Sequence, residues 1–299
     1  AEAPFTSFFQ ELGVEFEKIE SPHFSLEWNG RIVDDPFGKG AAALRAPGEV
    51  RLDFARLGDS LRPMLDPANG INFPKAGNRS EISALNDITL ASKLDSMGVG
   101  PEVRKVLDLL LSSRLGETST TVSAWEGLYV LARTVVADQY TLPGGHGAVS
   151  DRLSATLRAR QDVTMSPNST VVSIEETPGK PARVTWVDSL TREAKCVEAR
   201  QVVVASPKLI GKYMVNPLSD AKRQAMASIR YTPFLVAQVF LDEPVMETFE
   251  IGAPDRFTKF MVRPDWISGN RSPEGRSHLT AYIPFLGPDG RRNLLEQPP

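Results

Sequence analysis

The chain lacks most of the features that would narrow its function at once. Among its 299 residues there is one cysteine, Cys196, so no disulfide can form within the chain and no cysteine metal cluster can be built. Its three histidines, His23, His146 and His278, lie far apart and show no metal-ligand spacing. No apolar run reaches the roughly 18 residues that a membrane-spanning helix needs. The first residues, Ala1-Glu2-Ala3-Pro4, show neither the basic nor the apolar region of a secretion signal. Positive charge is not in excess: 34 Lys and Arg stand against 37 Asp and Glu, a net charge of -3, which argues against nucleic acid or an anionic membrane as a partner. There is no phosphate-binding P-loop and no serine nucleophile elbow. These absences favour a cytoplasmic setting. Three sequons, at Asn78, Asn168 and Asn270, are short enough to recur by chance.

What is present is ordinary globular material, 41% hydrophobic and 24% charged, enough for one or two domains with a substantial core. Phe5, Phe8, Phe9 and Leu12 fall at helical spacing before Gly13. Phe24 to Trp28 alternates, Asn29-Gly30 turns, and Arg31 to Val33 returns, the strongest short-range hairpin signal. Residues 34–79 are rich in Pro, Gly and Asp and read mostly as loops, with a helix near 53–65. From about 80 to 134 the pattern is helical. Ile88, Ala91, Leu94 and Met97 share a face, and Pro101 suits a first helical turn. Val103, Val106, Leu107, Leu110 and Leu111 make a broad apolar stripe, and a third helix runs from Ser123 through Trp125, Leu128 and Leu131.

Gly144 to Gly147 interrupts the helices, and Val149, Leu153 and Leu157 resume them. Thr170–Glu176 and Ala182–Val187 read as strands about a Pro178-Gly179 turn, with a further strand at Cys196 and Val197. Val202 to Ala205 is fully apolar, as expected of a strand covered on both faces. Ser219 caps a helix reaching Ile229, and Phe234–Leu241 and His278–Pro284 read as strands. Cys196 reads as a small apolar residue of its strand. Trp125, Trp186 and Trp266 read as core, and Trp28 as either core or aromatic cage.

Four pieces come in a telling order: Pro143-Gly144-Gly145-His146-Gly147 entering a helix, Asn168 to Ile174, Val202 to Pro207, and Ile229-Arg230-Tyr231-Thr232-Pro233 leading into a strand that ends at Asp242-Glu243-Pro244. Together they resemble the middle of the FAD-dependent amine oxidase, phytoene desaturase and protoporphyrinogen oxidase superfamily. The resemblance covers residues 140–245 well and 80–134 loosely. It implies an α/β fold: a substrate domain of mixed sheet plus helices (1–138 and 208–299), interleaved with part of a Rossmann-like FAD-binding domain (139–207). It implies that the backbone of Val171 reads the adenine, that Ala205-Ser206-Pro207 lies near the nucleotide, and that the Gly144-Gly145 loop passes close to the flavin. Without the resemblance, Gly144 and Gly145 are a loop entering a helix and Val171 is a core residue. His146 is a surface histidine or a neighbour of the flavin.

Two departures from the family qualify this. The family's glycine fingerprint follows a strand and opens a helix. Here Gly38-Lys39-Gly40-Ala41-Ala42-Ala43 has the letters but follows Asp34-Asp35-Pro36-Phe37, and Gly98-Val99-Gly100-Pro101 lies between helices. Both ends of the chain read as cut, so the expectation is an excised or processed piece of a larger flavoprotein, with FAD held in the complete protein or at a site that a partner chain completes. Second, amine-oxidizing members usually place a lysine on the strand matching Phe234–Leu241, where this chain has Gln238. Glutamine is neither a cation nor a tunable base, which points away from simple amine oxidation toward oxidation of a small or lipophilic substrate. No catalytic acid or base is assigned, and no metal site. Two other readings stand beside it: a non-catalytic binding module that does not hold FAD alone, and a flavin-fold mutase or isomerase.

Overall fold

The computed structural model describes residues 5–19, 24–66, 70–71, 79–266 and 276–296. His23, Asn78 and Asn270 lie outside them. In chain order the elements are α1 (Phe5–Glu11), β1 (Glu17–Lys18), β2 (Ser25–Trp28), β3 (Arg31–Asp34), α2 (Gly48–Leu61), α3 (Arg79–Asn86), α4 (Leu90–Ser96), α5 (Pro101–Leu115), α6 (Ala124–Val135), β4 (Tyr140–Thr141), α7 (Gly145–Arg158), β5 (Ser169–Glu175), β6 (Ala182–Asp188), β7 (Ala194–Ala199), α8 (Lys208–Met214), β8 (Val215–Asn216), α9 (Asp220–Ala227), β9 (Phe234–Leu241), β10 (Glu250–Gly252), β11 (Phe260–Val262), β12 (Ser277–Pro284) and α10 (Gly290–Leu295). The fold is α/β. Two compact units divide the chain: residues 1–151 with 232–299, and residues 152–231.

The larger unit is built on a six-stranded mixed sheet in the order β3-β2-β10-β11-β12-β9, in which β2 and β10 run parallel and the remaining neighbours antiparallel. The β2–β3 hairpin turns at Asn29 and Gly30, both at positive φ, the geometry that gives Asn-Gly its preference there. Helices α2, α5 and α6 bring their apolar stripes to one core with Phe24, Leu26 and Phe260 from the sheet. All five predicted stripe residues of α5 are fully buried. Burial contributes on the order of 1.5–3 kcal/mol for each such side chain before entropy is subtracted. Ser123 caps α6 by accepting from the Glu126 N–H, and Thr89 caps α4 by accepting from Ser92.

The expected loop between 34 and 79 contains more order than its Pro and Gly content implies. Helix α2 starts at Gly48, five residues before the expected helix near 53, because Pro47 can precede a first turn without losing a needed N–H. Gly58 is required inside it by crowding, since a Cβ there would collide with the Phe37 carbonyl. The Gly38-Gly40 letters fall at a short 3-10 helix, Lys39–Ala43, and not at a strand-to-helix turn. On α4, Leu90 and Leu94 are buried, while Ile88 lies outside the helix and is exposed.

The smaller unit holds the order β7-β6-β5-β8, an antiparallel meander with the short strand β8 parallel to β5. Helices α8 and α9 pack on each other, and α8 packs on β5. Ser219 caps α9, as read from sequence. Cys196 sits in β7 but is exposed there. One expectation fails. Val202 to Ala205 forms no strand, and Val203 is 91% exposed. An apolar run becomes a strand only where a neighbour takes its N–H and C=O groups, and none of the described strands does so.

Candidate functional site

The sheet of the larger unit is half-open at its β9 edge, where Leu235 and Val239 are exposed on one face and Val236, Gln238 and Phe240 on the other. In-register pairing sets Glu250, Val262, Thr280 and Gln238 in one row across β10, β11, β12 and β9. The next row on the same face is Gly252, Phe260, Tyr282 and Val236. Helix α5 covers the β10 end tightly: a Cβ on Gly252 would stand 2.8 Å from the Leu109 side chain and 2.6 Å from the Phe24 ring. Toward β9 the cover runs out, and Val236, Gln238 and Phe240 are exposed. The border is set by the end of α5, where Gly116 adopts φ +71° and its carbonyl accepts the Thr232 hydroxyl at 2.7 Å. Glycine is needed there both for the left-handed turn and because a Cβ would stand 2.5 Å from that of Thr232.

Charged groups gather at that border. Arg114, in the last turn of α5, donates to Glu250 Oε2 at 2.8 Å and stacks over the Phe260 ring at 4.7 Å. Glu250 is buried, and its second oxygen, Oε1, has no hydrogen-bond partner among the described residues. Burial pushes its carboxyl above the usual range, and Arg114 pulls it only part of the way back. Further along the face, the Thr280 hydroxyl donates to Gln238 Oε1 at 2.9 Å, and the His278 ring lies 5.8 Å from that of Phe240, its Nδ1 buried with no partner among the described residues. Just beyond, the Asp265 carboxyl is pushed up by burial but pulled down further by the Ser277 hydroxyl, the His278 N–H and Arg263, and ends below its usual range.

The residues expected at the nucleotide fall in two places. Gly144 and Gly145 belong to the larger unit, at φ +79° and +70°, and the Gly145 N–H donates to Leu142 O at 2.7 Å as α7 begins. Their glycine requirement is that of the turn. His146 is exposed in the first turn of α7. In the smaller unit, Val171 lies on β5 beside a register shift against β6. On its other side β5 pairs with β8 only at Ile174 and Glu175. The outer edge from Ser169 to Ser173 is therefore unpaired among the described strands, an edge of the kind a backbone uses to read an adenine. Ala205, Ser206 and Pro207 lead into α8, which packs on that same strand. Ser206 Oγ is buried with no partner among the described residues. These groups fit the adenosine end of FAD. A pyrophosphate grip is not found among the described residues.

Gln238 was singled out in the sequence through the resemblance, and it lies on β9 beside Thr280. Arg114, Glu250 and Thr280 were not singled out: Arg114 and Glu250 stand 136 residues apart, and Glu250 lies on a three-residue strand that alternation cannot reveal. Trp28 belongs to the core, its ring edge-on to Phe54 at 5.8 Å, and Trp125, Trp186 and Trp266 are half-buried. Among the described residues no His, Cys, Asp and Glu cluster could hold a metal, and no helix is long and apolar enough to cross a membrane.

Comparison with known proteins places this geometry in a family. The family described as flavin containing amine oxidoreductase matches residues 1–298, and the chain belongs to it. FAD is the cofactor this membership implies. The chain is 26% identical over 262 residues to Oxidoreductase PigB of Serratia sp. (strain ATCC 39006), a match covering 81% of this chain and 36% of that protein. Its fold is similar to a crystal structure of an oxidoreductase from Methanosarcina mazei, with TM-score 0.70, 15% identity, and cover of 98% of this chain and 66% of that one. It is also similar to the PF1083 protein from Pyrococcus furiosus, with TM-score 0.62, 14% identity and the same cover. The chain thus spans about a third of the curated relative and about two thirds of the solved ones.

Proposed function

We propose that this chain carries the substrate side and the adenosine side of an FAD-dependent oxidoreductase acting on a small or lipophilic molecule. The observation that carries the reading is the edge of β5 at Val171, unpaired among the described strands, in one unit with the buried Ser206 Oγ, which has no partner among the described residues. The backbone of Val171 would meet the adenine, Ser206 with Ala205 and Pro207 would lie along the nucleotide, and the Gly144-Gly145 turn would approach the flavin ring. When bound, FAD supplies the hydride acceptor. The protein's part is to orient the substrate and exclude water. Residues 1–138 and 208–299 are read as the substrate-binding part and 139–207 as the FAD-binding part. The pyrophosphate grip then comes from outside the described residues, from this protein or from a partner chain.

The face of β9 and β12 supports the substrate class. Val236, Phe240 and Tyr282 offer apolar surface, and Gln238 stands on it where a lysine would bring a charge. The oxidoreductase activity in the name of the Serratia relative agrees with this reading. Calorimetric titration with FAD, ADP and FMN tests it. FAD and ADP are expected to bind and to compete, with FMN, which lacks the adenosine, far weaker. Binding of FMN as well as FAD, or of none of the three, would overturn it.

A further inference from the structure

We infer that the half-open sheet face selects an uncharged molecule bearing a hydrogen-bond acceptor, and that Gln238, its amide oriented by Thr280, makes the selection. The inference rests on the proposed function in taking this face as the substrate wall. A glutamine amide left to itself offers an acceptor and two donors and discriminates little. Here Oε1 is engaged by the Thr280 hydroxyl at 2.9 Å. Thr280 is only 4% exposed. Turning the amide over would make the hydroxyl an acceptor of the amide N–H and leave its own buried proton without the acceptor it has now. Threonine is also stiff at its first side-chain torsion, so the hydroxyl does not swing to follow. Gln238 therefore turns its NH2 group, with two donors, away from β12, on a strand whose exposed neighbours on the same face, Val236 and Phe240, are apolar.

The border charge works in the same sense. Of the Arg114–Glu250 pair, the cation is the member in contact with solvent, at 35% side-chain exposure against 3%. A ligand on this face meets donors from Gln238 and a guanidinium at its margin. A protonated amine is offered donors by both, whereas a carbonyl or an aromatic ring nitrogen accepts from them. Asp242, just past the end of β9, has Arg276 at 3.5 Å as its own partner. Sites built to hydrogen-bond one group discriminate strongly against ligands that leave it unpaired.

The test compares quinoline, a neutral ring with one acceptor, and the benzylammonium ion, a cation with donors only. Both are titrated by ligand-observed NMR into the full chain, its Gln238→Glu variant and its Thr280→Val variant. The wild-type chain is expected to favour quinoline by about tenfold. Gln238→Glu, which replaces the donors with an anionic acceptor of the same shape, is expected to reverse the order. Thr280→Val, which frees the amide to turn, is expected to narrow the ratio to near one. The same order in all three proteins, a wild-type preference for benzylammonium, or no binding of either ligand overturns the inference. FAD titration of the same samples separates the two claims. A chain that binds FAD but shows no such order refutes the role of Gln238 alone, and one that shows the order without binding FAD refutes the flavin assignment alone.

Discussion

Glu250 shows how one buried side chain sets a measurable property of this protein. Burial raises its carboxyl, Arg114 opposes the rise, and burial prevails. The folded chain therefore holds this proton more readily than the unfolded chain does. Its contribution to stability is fully present below the ordinary glutamate value of about 4.3 and is lost as pH rises through the higher folded value. Glu250→Gln should remove that decline, seen as a flatter plot of urea midpoint against pH across the weakly acidic range. A slope equal to wild type would show that other groups set it. Replacing Arg114 by Leu has a different expected result, because it strands the carboxylate. Breaking a buried pair costs about 3–5 kcal/mol, and the partial exposure of Arg114 reduces this to about 2–3 kcal/mol at neutral pH. The loss should shrink in acid, where Glu250 is protonated. Urea unfolding at both pH values checks this.

At the scale of elements, local chemistry and long-range pairing divide what the sequence reveals. The hairpin at Asn29-Gly30, the cap at Ser123, the stripe of α5 and the strand at Phe234–Leu241 are each written in neighbouring residues, and each stands where the residues place it. Ser123→Ala should lower stability by about 1 kcal/mol through loss of the α6 cap, read from the thermal midpoint. A loss below a few tenths would mean that water replaces the hydroxyl. Strands β10 and β11 have three residues each, too few for alternation to show, and they exist because β2 and β12 flank them. The run Val202 to Ala205 is the reverse case, apolar enough for a strand but with no partner among the described residues. Val203→Asp should therefore change stability by less than about 0.5 kcal/mol, as for exposed positions generally. A cost of several kcal/mol would mean that the run is buried in the protein in solution.

At the scale of the whole molecule, the family was legible because four glycine, apolar and Pro-ended pieces keep their order along the chain, and the family match over residues 1–298 agrees. The chemistry of the site was less legible. It depends on a row of side chains, Glu250 to Gln238, that the sheet assembles from four separated strands. The positions proposed for the nucleotide, Val171 and Ser206 among them, were named one by one from the resemblance, but the open edge of β5 comes from how briefly β8 pairs with it. In the proposed function those two groups are what the chain offers to FAD in its smaller unit. The most direct measurement is therefore calorimetry of the purified chain with FAD, ADP and FMN. The account predicts that FAD and ADP bind competitively and that FMN is far weaker. FMN binding as tight as FAD, or no binding of any of the three, would contradict it.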